Sequence, residues 1–135
     1  MKIQMTSRED YLKAILVLSR QNPEVRAVEL ASYLNFSKAS ISRAVSLLCK
    51  EGYLLIRGHG LYLTETGLAL AQRTYDKYCF FSDRLIELGV PPQIAHEDAC
   101  RLEHAISDVS FERLCQSVRQ EKAAPDPPQN RQAGC

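Results

Sequence analysis

The chain has 135 residues, 45% of them hydrophobic, and a formal net charge of +1. This length and composition predict a folded protein of one compact unit or two small lobes. No apolar run approaches the roughly 20 residues that cross a bilayer, and residues 1–5 lack the apolar core of a secretory signal, so we expect a cytoplasmic protein without membrane contact.

The first half of the chain predicts three helices followed by a β-hairpin. The helices cover about residues 7–21, 27–34 and 38–50, and the strands cover residues 53–57 and 61–64. Thr6-x-x-Glu9 has capping-box spacing at the start of the first helix, and Ser37 is a natural N-cap for the third. This order of elements is the layout of a winged helix–turn–helix domain.

Helical periodicity assigns an apolar, core-facing side to each of these three helices. The residues expected there are Tyr11, Leu12, Ile15, Leu16, Leu18, Val28, Leu30, Ala31, Leu34, Ile41, Val45, Leu47 and Leu48.

The second half predicts helices only, so the fold class is mainly α. A long helix over about residues 65–88 ends at Gly89, and Pro91-Pro92 precede a helix to about residue 106. Asp108 is positioned to cap a last helix of about 109–121. We therefore predict a winged helix–turn–helix domain over residues 1–72, an α-helical domain over 73–121, and a Pro-rich, disordered tail over 122–135.

The charge differs between the two halves. Residues 1–75 carry ten Lys and Arg against six Asp and Glu, whereas residues 76–135 carry seven against ten. A basic front half fits an anionic partner and an acidic back half fits cations.

The third helix and the hairpin carry the polar residues expected to contact DNA. A recognition helix presents its N-terminal residues to the major groove, and Arg43 has the donors to read a guanine edge. The other candidates for phosphate or base contacts are Ser37, Lys38, Ser40 and Ser42 of the helix and Arg57 and His59 of the wing. The alternative is a solvated polar face on a winged helix that binds protein.

A second cluster of chemistry lies in the helix over residues 92–106. His96, Cys100, Glu103 and His104 follow the spacing i, i+4, i+7 and i+8, which places them on one helical face. A thiolate, two imidazoles and a carboxylate suit Fe²⁺, Zn²⁺ or Mn²⁺. The alternative is an amphipathic helix whose polar side faces water.

Three segments together resemble the diphtheria toxin repressor family, including its manganese-transport-regulator branch. They are residues 9–12 (EDYL), 63–67 (LTETG) and 96–108 (HEDACRLEHAISD), within a resemblance that covers about residues 6–120. The resemblance implies a metal-activated transcriptional repressor whose α-helical domain over residues 73–121 is the metal-binding and dimerisation domain. Such a protein is a homodimer that binds palindromic double-stranded operators of metal-uptake genes, with Fe²⁺ or Mn²⁺ as corepressor.

The resemblance also implies a ligand set. Cys100, Glu103 and His104 match the main regulatory site, and Asp10 matches the position that completes it from the DNA-binding lobe. At a second site His96 matches one ligand. Cys79 and Asp83 are its expected partners, with Tyr78 as the alternative at the histidine position.

The sequence departs from the family pattern at three points. Lys13 stands where manganese-type members have a liganding glutamate, and a charged ammonium does not ligate and repels a cation. Cys100 stands where manganese-type members have a carboxylate, and its softer sulfur favours Fe²⁺ or Zn²⁺ over Mn²⁺. We also expect a short form without the SH3-like domain of longer members.

Two further functions remain open at this stage. Cys79 or Cys100 could be the reactive thiolate of a redox-sensing regulator, and a structural zinc site could serve a protein-interaction module. The five cysteines include no Cys-x-x-Cys pair, which indicates reduced thiols. We expect no enzyme, because neither a phosphate-binding glycine loop nor a nucleophile elbow is present.

Overall fold

The computed structural model of the chain describes residues 8–123. Its elements are α1 (Arg8–Ser19), β1 (Val25–Arg26), α2 (Ala27–Leu34), α3 (Lys38–Lys50), β2 (Leu54–Arg57), β3 (Gly60–Leu63), α4 (Glu65–Glu87), α5 (Pro92–Ala105) and α6 (Asp108–Ala123). The predicted winged helix–turn–helix followed by an α-helical region is confirmed. The predicted Thr6 cap and the tail from residue 124 lie outside the described residues.

The core of the N-terminal lobe is formed by one apolar stripe from each of its helices. Leu12 and Ile15 of α1, Leu30 of α2 and Ile41 of α3 are at most 1% exposed, and they pack with Leu54 of the hairpin. Burial of such stripes against one another is the main stabilisation available to short helices.

Two residues predicted to be buried are exposed. Val28 is 55% exposed and Leu47 is 54% exposed. The buried residues of α3 follow the spacing i, i+4 and i+7 (Ile41, Val45 and Leu48), and Leu47 lies about 100° away from Leu48 around the helix. Leu47 was predicted to be buried because it is apolar, but it does not lie on this stripe.

The sheet has a third strand that the sequence did not indicate. Strand β1 pairs antiparallel with β3, with Val25 opposite Leu61, and the strand order is β1-β3-β2. A strand of two residues is too short to show alternation, but Val25 is fully buried and anchors the edge of the wing to the core.

The link between the wing and α4 is closely packed. Thr64 caps α4, because its Oγ1 accepts a hydrogen bond from the Gly67 backbone N–H at 3.1 Å and donates one to the Gly52 carbonyl at 2.7 Å. A Cβ at Gly67 would collide with the Tyr53 carbonyl oxygen. This contact explains why a glycine stands at the start of the helix.

Helix α4 connects the two lobes by packing against both α1 and α5. It runs without interruption through residues 72 and 73, so the domain boundary placed there stays a prediction. None of the helices between residues 8 and 123 has the length and apolar character needed to cross a membrane.

A buried lysine fixes the corner between α5 and α6. Lys77 of α4 donates to the Asp108 carboxylate at 2.9 Å and to the Ile106 carbonyl at 3.1 Å. Asp108 was predicted to cap α6, but it pairs with Lys77 instead, and the Ser107 hydroxyl accepts from the Ser110 N–H at 3.2 Å. The polar side chain preceding the helix therefore caps it.

Replacing Lys77 with methionine should destabilise the protein by about 1–2 kcal/mol, since the Ile106 carbonyl loses its charged donor. Lys77 also holds the pKa of Asp108 below its usual value of 3.8. The pair therefore contributes stability above that pH and loses it as the pH falls through the lower folded-state pKa.

Urea unfolding at pH 7 and at progressively lower pH measures both effects. The difference in the free energy of unfolding between the wild type and Lys77→Met should become smaller in acid. Arg73→Met is the control, because Arg73 is an exposed partner of the same carboxylate at 3.6 Å and should matter little. Equal losses in the two variants would contradict the special role of Lys77.

Candidate metal centre and DNA-binding surface

A cluster of potential metal ligands joins α1 to α5. The His104 Nε2 lies 2.8 Å from Asp10 Oδ1 and 3.0 Å from Glu103 Oε2. Asp10 is 5% exposed and Glu103 is 2% exposed. Among residues 8–123, these three form the one group of His, Cys, Asp or Glu whose ligand atoms lie within 4.8 Å of one another. The structure thus brings Asp10 together with Glu103 and His104, as the resemblance implied.

The His104 ring is held by carboxylates on both nitrogens. Its Nδ1 lies 2.6 Å from Glu9 Oε1, and its Nε2 faces Asp10 and Glu103. The hydrogen bond to Asp10, followed by that to Glu103, raises the pKa of His104 from 6.5 to about 10. Without a metal, the ring is therefore an imidazolium that balances the surrounding carboxylates.

A second cation, Lys13, lies inside the same cluster. Its Nζ donates to both oxygens of Glu103, at 2.9 and 3.0 Å, and lies 4.4 Å from the centre of the Tyr78 ring. Burial is the largest single influence and would lower the pKa of Lys13, but the charges of Glu103, Cys100 and Asp10 and the hydrogen bond to Glu103 together outweigh it, so the pKa is raised. The residue that departs from the family pattern is thus an ion-pair partner of a candidate ligand.

Cys100 borders the cluster without joining it. Its Sγ is 3.8 Å from Lys13 Nζ, and the side chain is half-buried. Burial raises the pKa of the thiol, although Lys13 acts in the opposite direction. Cys100 is therefore close enough to supply a soft donor, but it stays protonated in the metal-free protein.

The donor set fits a divalent ion. Ions of the Mg²⁺ and Mn²⁺ type take oxygen and imidazole ligands at about 2.1 Å, so that adjacent ligands in an octahedral shell are about 3.0 Å apart. The separations from His104 Nε2 to the Asp10 and Glu103 oxygens are 2.8 and 3.0 Å. The same three atoms could hold an ion once the Nε2 proton leaves.

The predicted second site is not assembled. His96 Nδ1 lies 2.8 Å from Ser82 Oγ and 3.0 Å from the Tyr78 hydroxyl. Tyr78 and Ser82 are one helical turn apart on the side of α4 that faces α5. The alternative that Tyr78 occupies the histidine position is the one that this geometry supports.

Cys79 and Asp83 are each one residue further along α4, about 100° away from the side that carries Tyr78 and Ser82. Asp83 is exposed, and Cys79 lines a cleft towards α6 that also contains Phe111 and Cys115. Because of this one-residue register the structure does not bring Cys79 and Asp83 together with His96, and their role as its co-ligands stays a prediction.

The candidate DNA-contacting residues divide into two groups. Lys38, Ser42 and Arg43 of α3 and Arg57 and His59 of the wing are exposed, and Lys38, Ser42 and His59 line an open groove between α3 and the hairpin.

Ser37 and Ser40 have structural roles instead. Ser37 Oγ accepts from the Ser40 N–H at 3.1 Å and donates to Ser40 Oγ at 3.0 Å, which confirms the predicted N-cap. Their hydroxyls are engaged with each other, so the exposed basic residues are the stronger candidates for DNA contacts.

Two residues around these sites were not predicted from the sequence. Glu9 orients the His104 ring, and Ser82 binds His96 beside Tyr78. A carboxylate next to Asp10 in a motif already noted was a usable signal for Glu9. Nothing in the sequence pointed to Ser82, because serine is common on helix surfaces.

A winged helix–turn–helix joined to a helical lobe, with a ligand cluster between them, defines a ligand-responsive DNA-binding regulator. Two family descriptions match the chain. Residues 4–60 match the N-terminal DNA binding domain of the iron dependent repressor, and residues 64–129 match its metal binding and dimerisation domain. The chain belongs to the iron dependent repressor family of metal-dependent transcriptional regulators.

Individual proteins agree with this assignment. The chain is 37% identical over 111 residues to an HTH-type transcriptional regulator of Methanocaldococcus jannaschii, covering 80% of this chain and 89% of the relative. It is 31% identical over 105 residues to the transcriptional regulator MntR of Escherichia coli O157:H7, covering 77% and 68%.

A solved structure of the manganese regulator SloR superimposes with a TM-score of 0.75 at 31% identity. The match covers 86% of this chain and 55% of SloR, so the chain spans about half the length of that solved relative.

Proposed function

We propose that the chain is a metal-activated repressor that binds palindromic operators as a homodimer, with Fe²⁺ or Mn²⁺ as corepressor. The observation that carries the proposal is the position of the ligands. Asp10 belongs to the DNA-binding lobe, whereas Glu103 and His104 belong to α5 of the other lobe. A ligand held by all three fixes the angle between the lobes.

A divalent ion would supply the charge that holds the two carboxylates and the neutral imidazole together. Glu9 keeps the His104 ring facing Asp10 through its bond to Nδ1. In a dimer, the angle between lobes sets the spacing of the two recognition helices, and half-sites one helical turn apart require one spacing. A coupling of about 1–3 kcal/mol between the sites changes operator affinity roughly 5–150-fold.

The metal preference follows from the ligand types. Two carboxylates and an imidazole suit Mn²⁺ and Fe²⁺, and a thiolate from Cys100 would favour Fe²⁺ or Zn²⁺. The similarity to the manganese regulator SloR supports Mn²⁺ as one of the candidate ions.

Exposed apolar residues support a dimer. They lie at the end of α4 and on α5 and α6, where Ile94 is 49%, Leu88 71% and Val109 72% exposed. Apolar side chains at these positions are candidates for burial in an interface between two copies of the chain.

The thiol-sensor alternative is less well supported. A reactive cysteine needs a lowered pKa, whereas burial raises the pKa of both Cys79 and Cys100. The structural-zinc alternative lacks a cysteine-rich ligand set, since carboxylates dominate the cluster in residues 8–123.

Titration of DNA binding against Fe²⁺, Mn²⁺ and Zn²⁺ without oxygen, on the promoter of the gene itself, tests the proposal. Activation by one or more of these ions supports it. Operator binding that ignores all three ions but responds to peroxide would favour the thiol sensor.

Arg43→Ala should weaken specific operator binding by about 1–3 kcal/mol, because a bidentate contact to guanine is lost. Metal affinity should not change, since Arg43 is exposed on α3, away from the cluster. Fluorescence anisotropy with operator and scrambled DNA measures the effect.

Arg113→Ala, which removes the same charge from an exposed position on α6, is the control for Arg43→Ala. If both variants lose the same small amount of affinity on both DNAs, Arg43 contributes charge alone and does not read sequence.

A further inference from the structure

The Lys13 ammonium occupies a position beside the Glu103 carboxylate where a metal ion could otherwise bind. The ammonium is within hydrogen-bond distance of both Glu103 oxygens and 3.8 Å from the Cys100 sulfur, with the Tyr78 ring at 4.4 Å. Lys13 is 8% exposed, so little water separates these groups. An ammonium surrounded by a carboxylate, a sulfur and an aromatic face has the environment of a bound cation.

We infer that the Lys13 ammonium is a built-in cation that limits this centre to a single divalent ion per chain. The inference rests on the proposed metal-sensing function and adds the number of ions that the centre takes.

The charges support a single ion. Glu9, Asp10 and Glu103 supply three negative charges when ionised, and Lys13 supplies one positive charge. One divalent ion together with the Lys13 ammonium therefore matches the charge of the three carboxylates. A second divalent ion would leave an excess of positive charge at a site with low exposure, where like charges a few ångströms apart are strongly unfavourable.

The geometry supports the same conclusion. The first ion would use the Glu103 oxygen Oε2, which faces His104 Nε2 at 3.0 Å, so a second ion that shared Glu103 would have to displace Lys13 from Oε1, where the ammonium lies at 2.9 Å. The space on the far side of Tyr78 does not offer an alternative, because His96 Nδ1 is bound to Ser82 and the Tyr78 hydroxyl. Within residues 8–123, no other group of three candidate ligands approaches closely enough to hold an ion.

The ion pair has a structural consequence. Lys13 lies on α1 and Glu103 on α5, so their contact joins the two lobes without any metal. The His104 ring already joins the same two helices through its contacts with Glu9 and Asp10, and an ion bound at His104 would take the place of the contact with Asp10.

Calorimetric titration with Mn²⁺, together with electron paramagnetic resonance, tests the inference on the full chain. The wild type should bind one Mn²⁺ per chain at the centre, with the hyperfine-resolved spectrum of an isolated ion. Lys13→Glu removes the cation and adds a carboxylate, so it should bind a second Mn²⁺ and give the broadened spectrum of a coupled pair.

Lys13→Gln is the matched control, because it removes the charge without adding a ligand, and it should bind a second ion more tightly than the wild type but more weakly than Lys13→Glu. His104→Ala identifies the ions bound at the centre, since those ions should be lost. Circular dichroism tests whether each variant is folded. If a variant does not fold, the number of Mn²⁺ ions bound per wild-type chain still tests the inference.

Two coupled ions in the wild type, both lost in His104→Ala, would overturn the inference and leave the metal-sensing function in place. A folded Lys13→Glu variant that takes one ion would also overturn it. Absence of Mn²⁺, Fe²⁺ and Zn²⁺ binding in the wild type would refute the proposed function itself, and the inference with it.

Discussion

Glu103→Gln should remove metal-dependent operator binding while leaving the dimer intact. Glu103 is the fully buried member of the ligand cluster and faces both His104 and Lys13. An amide lacks the charge and one acceptor oxygen of the carboxylate, so the affinity for a divalent ion falls. The full activation of about 5–150-fold in operator affinity is therefore expected to be lost.

Fluorescence anisotropy on operator DNA, with and without Mn²⁺ or Fe²⁺, measures this loss, and sedimentation or light scattering measures the dimer. Glu97→Gln is the control, because it is the same substitution at an exposed position of the same helix. A Glu103→Gln variant that keeps its full response to metal would remove Glu103 from the proposed site.

The order of the elements was predictable from sequence because most of the signals are local. Ser37 forms its cap through the Ser40 N–H three residues away, and the α3 stripe repeats at helical spacing. The positive backbone angle at Gly89, which follows α4, likewise depends on that residue alone. Each of these features is determined by neighbours within a few residues.

The features that the sequence did not predict depend on contacts between distant segments. Lys13 and Glu103 are 90 residues apart, and the pairing of Val25 with Leu61 joins a two-residue strand to the wing. The position of His96 against Tyr78 and Ser82 depends on which side of α4 faces α5. Adjacent residues of a helix point about 100° apart, so an error of one residue selects the wrong side.

Lys13 also shows why ligand inventories from sequence are incomplete. From sequence, a lysine among candidate ligands predicts repulsion of a nearby cation. In the structure, it neutralises Glu103, while His104 in its protonated form offsets one of the two charges of Asp10 and Glu9. The metal-free centre is thus held by the protein's own cations, and the ion that binds replaces a proton rather than filling an unbalanced acidic cavity.

Lys13→Met tests this balance through stability, with a larger expected effect on folding than any other substitution considered. It leaves the Glu103 carboxylate, whose side chain is fully buried, without its closest cation. Removing one partner of a buried ion pair costs several kcal/mol, and the remaining His104 contact at 3.0 Å places our expectation at about 3 kcal/mol. For a domain of this size that is a fall in Tm of roughly 10 °C.

The metal dependence of that loss separates a charge effect from a packing effect. Without Lys13, the centre is more negative and should bind a divalent ion more tightly, so saturating Mn²⁺ should raise the Tm of Lys13→Met by more than it raises that of the wild type. Lys122→Met is the control, since its pair with Glu87 at 4.0 Å is exposed and should contribute little. Removing a charge that balances the ligand cluster must change the affinity of the cluster for Mn²⁺. Equal increases in Tm with Mn²⁺ in Lys13→Met and the wild type would therefore mean that the lysine stabilises the fold by packing alone.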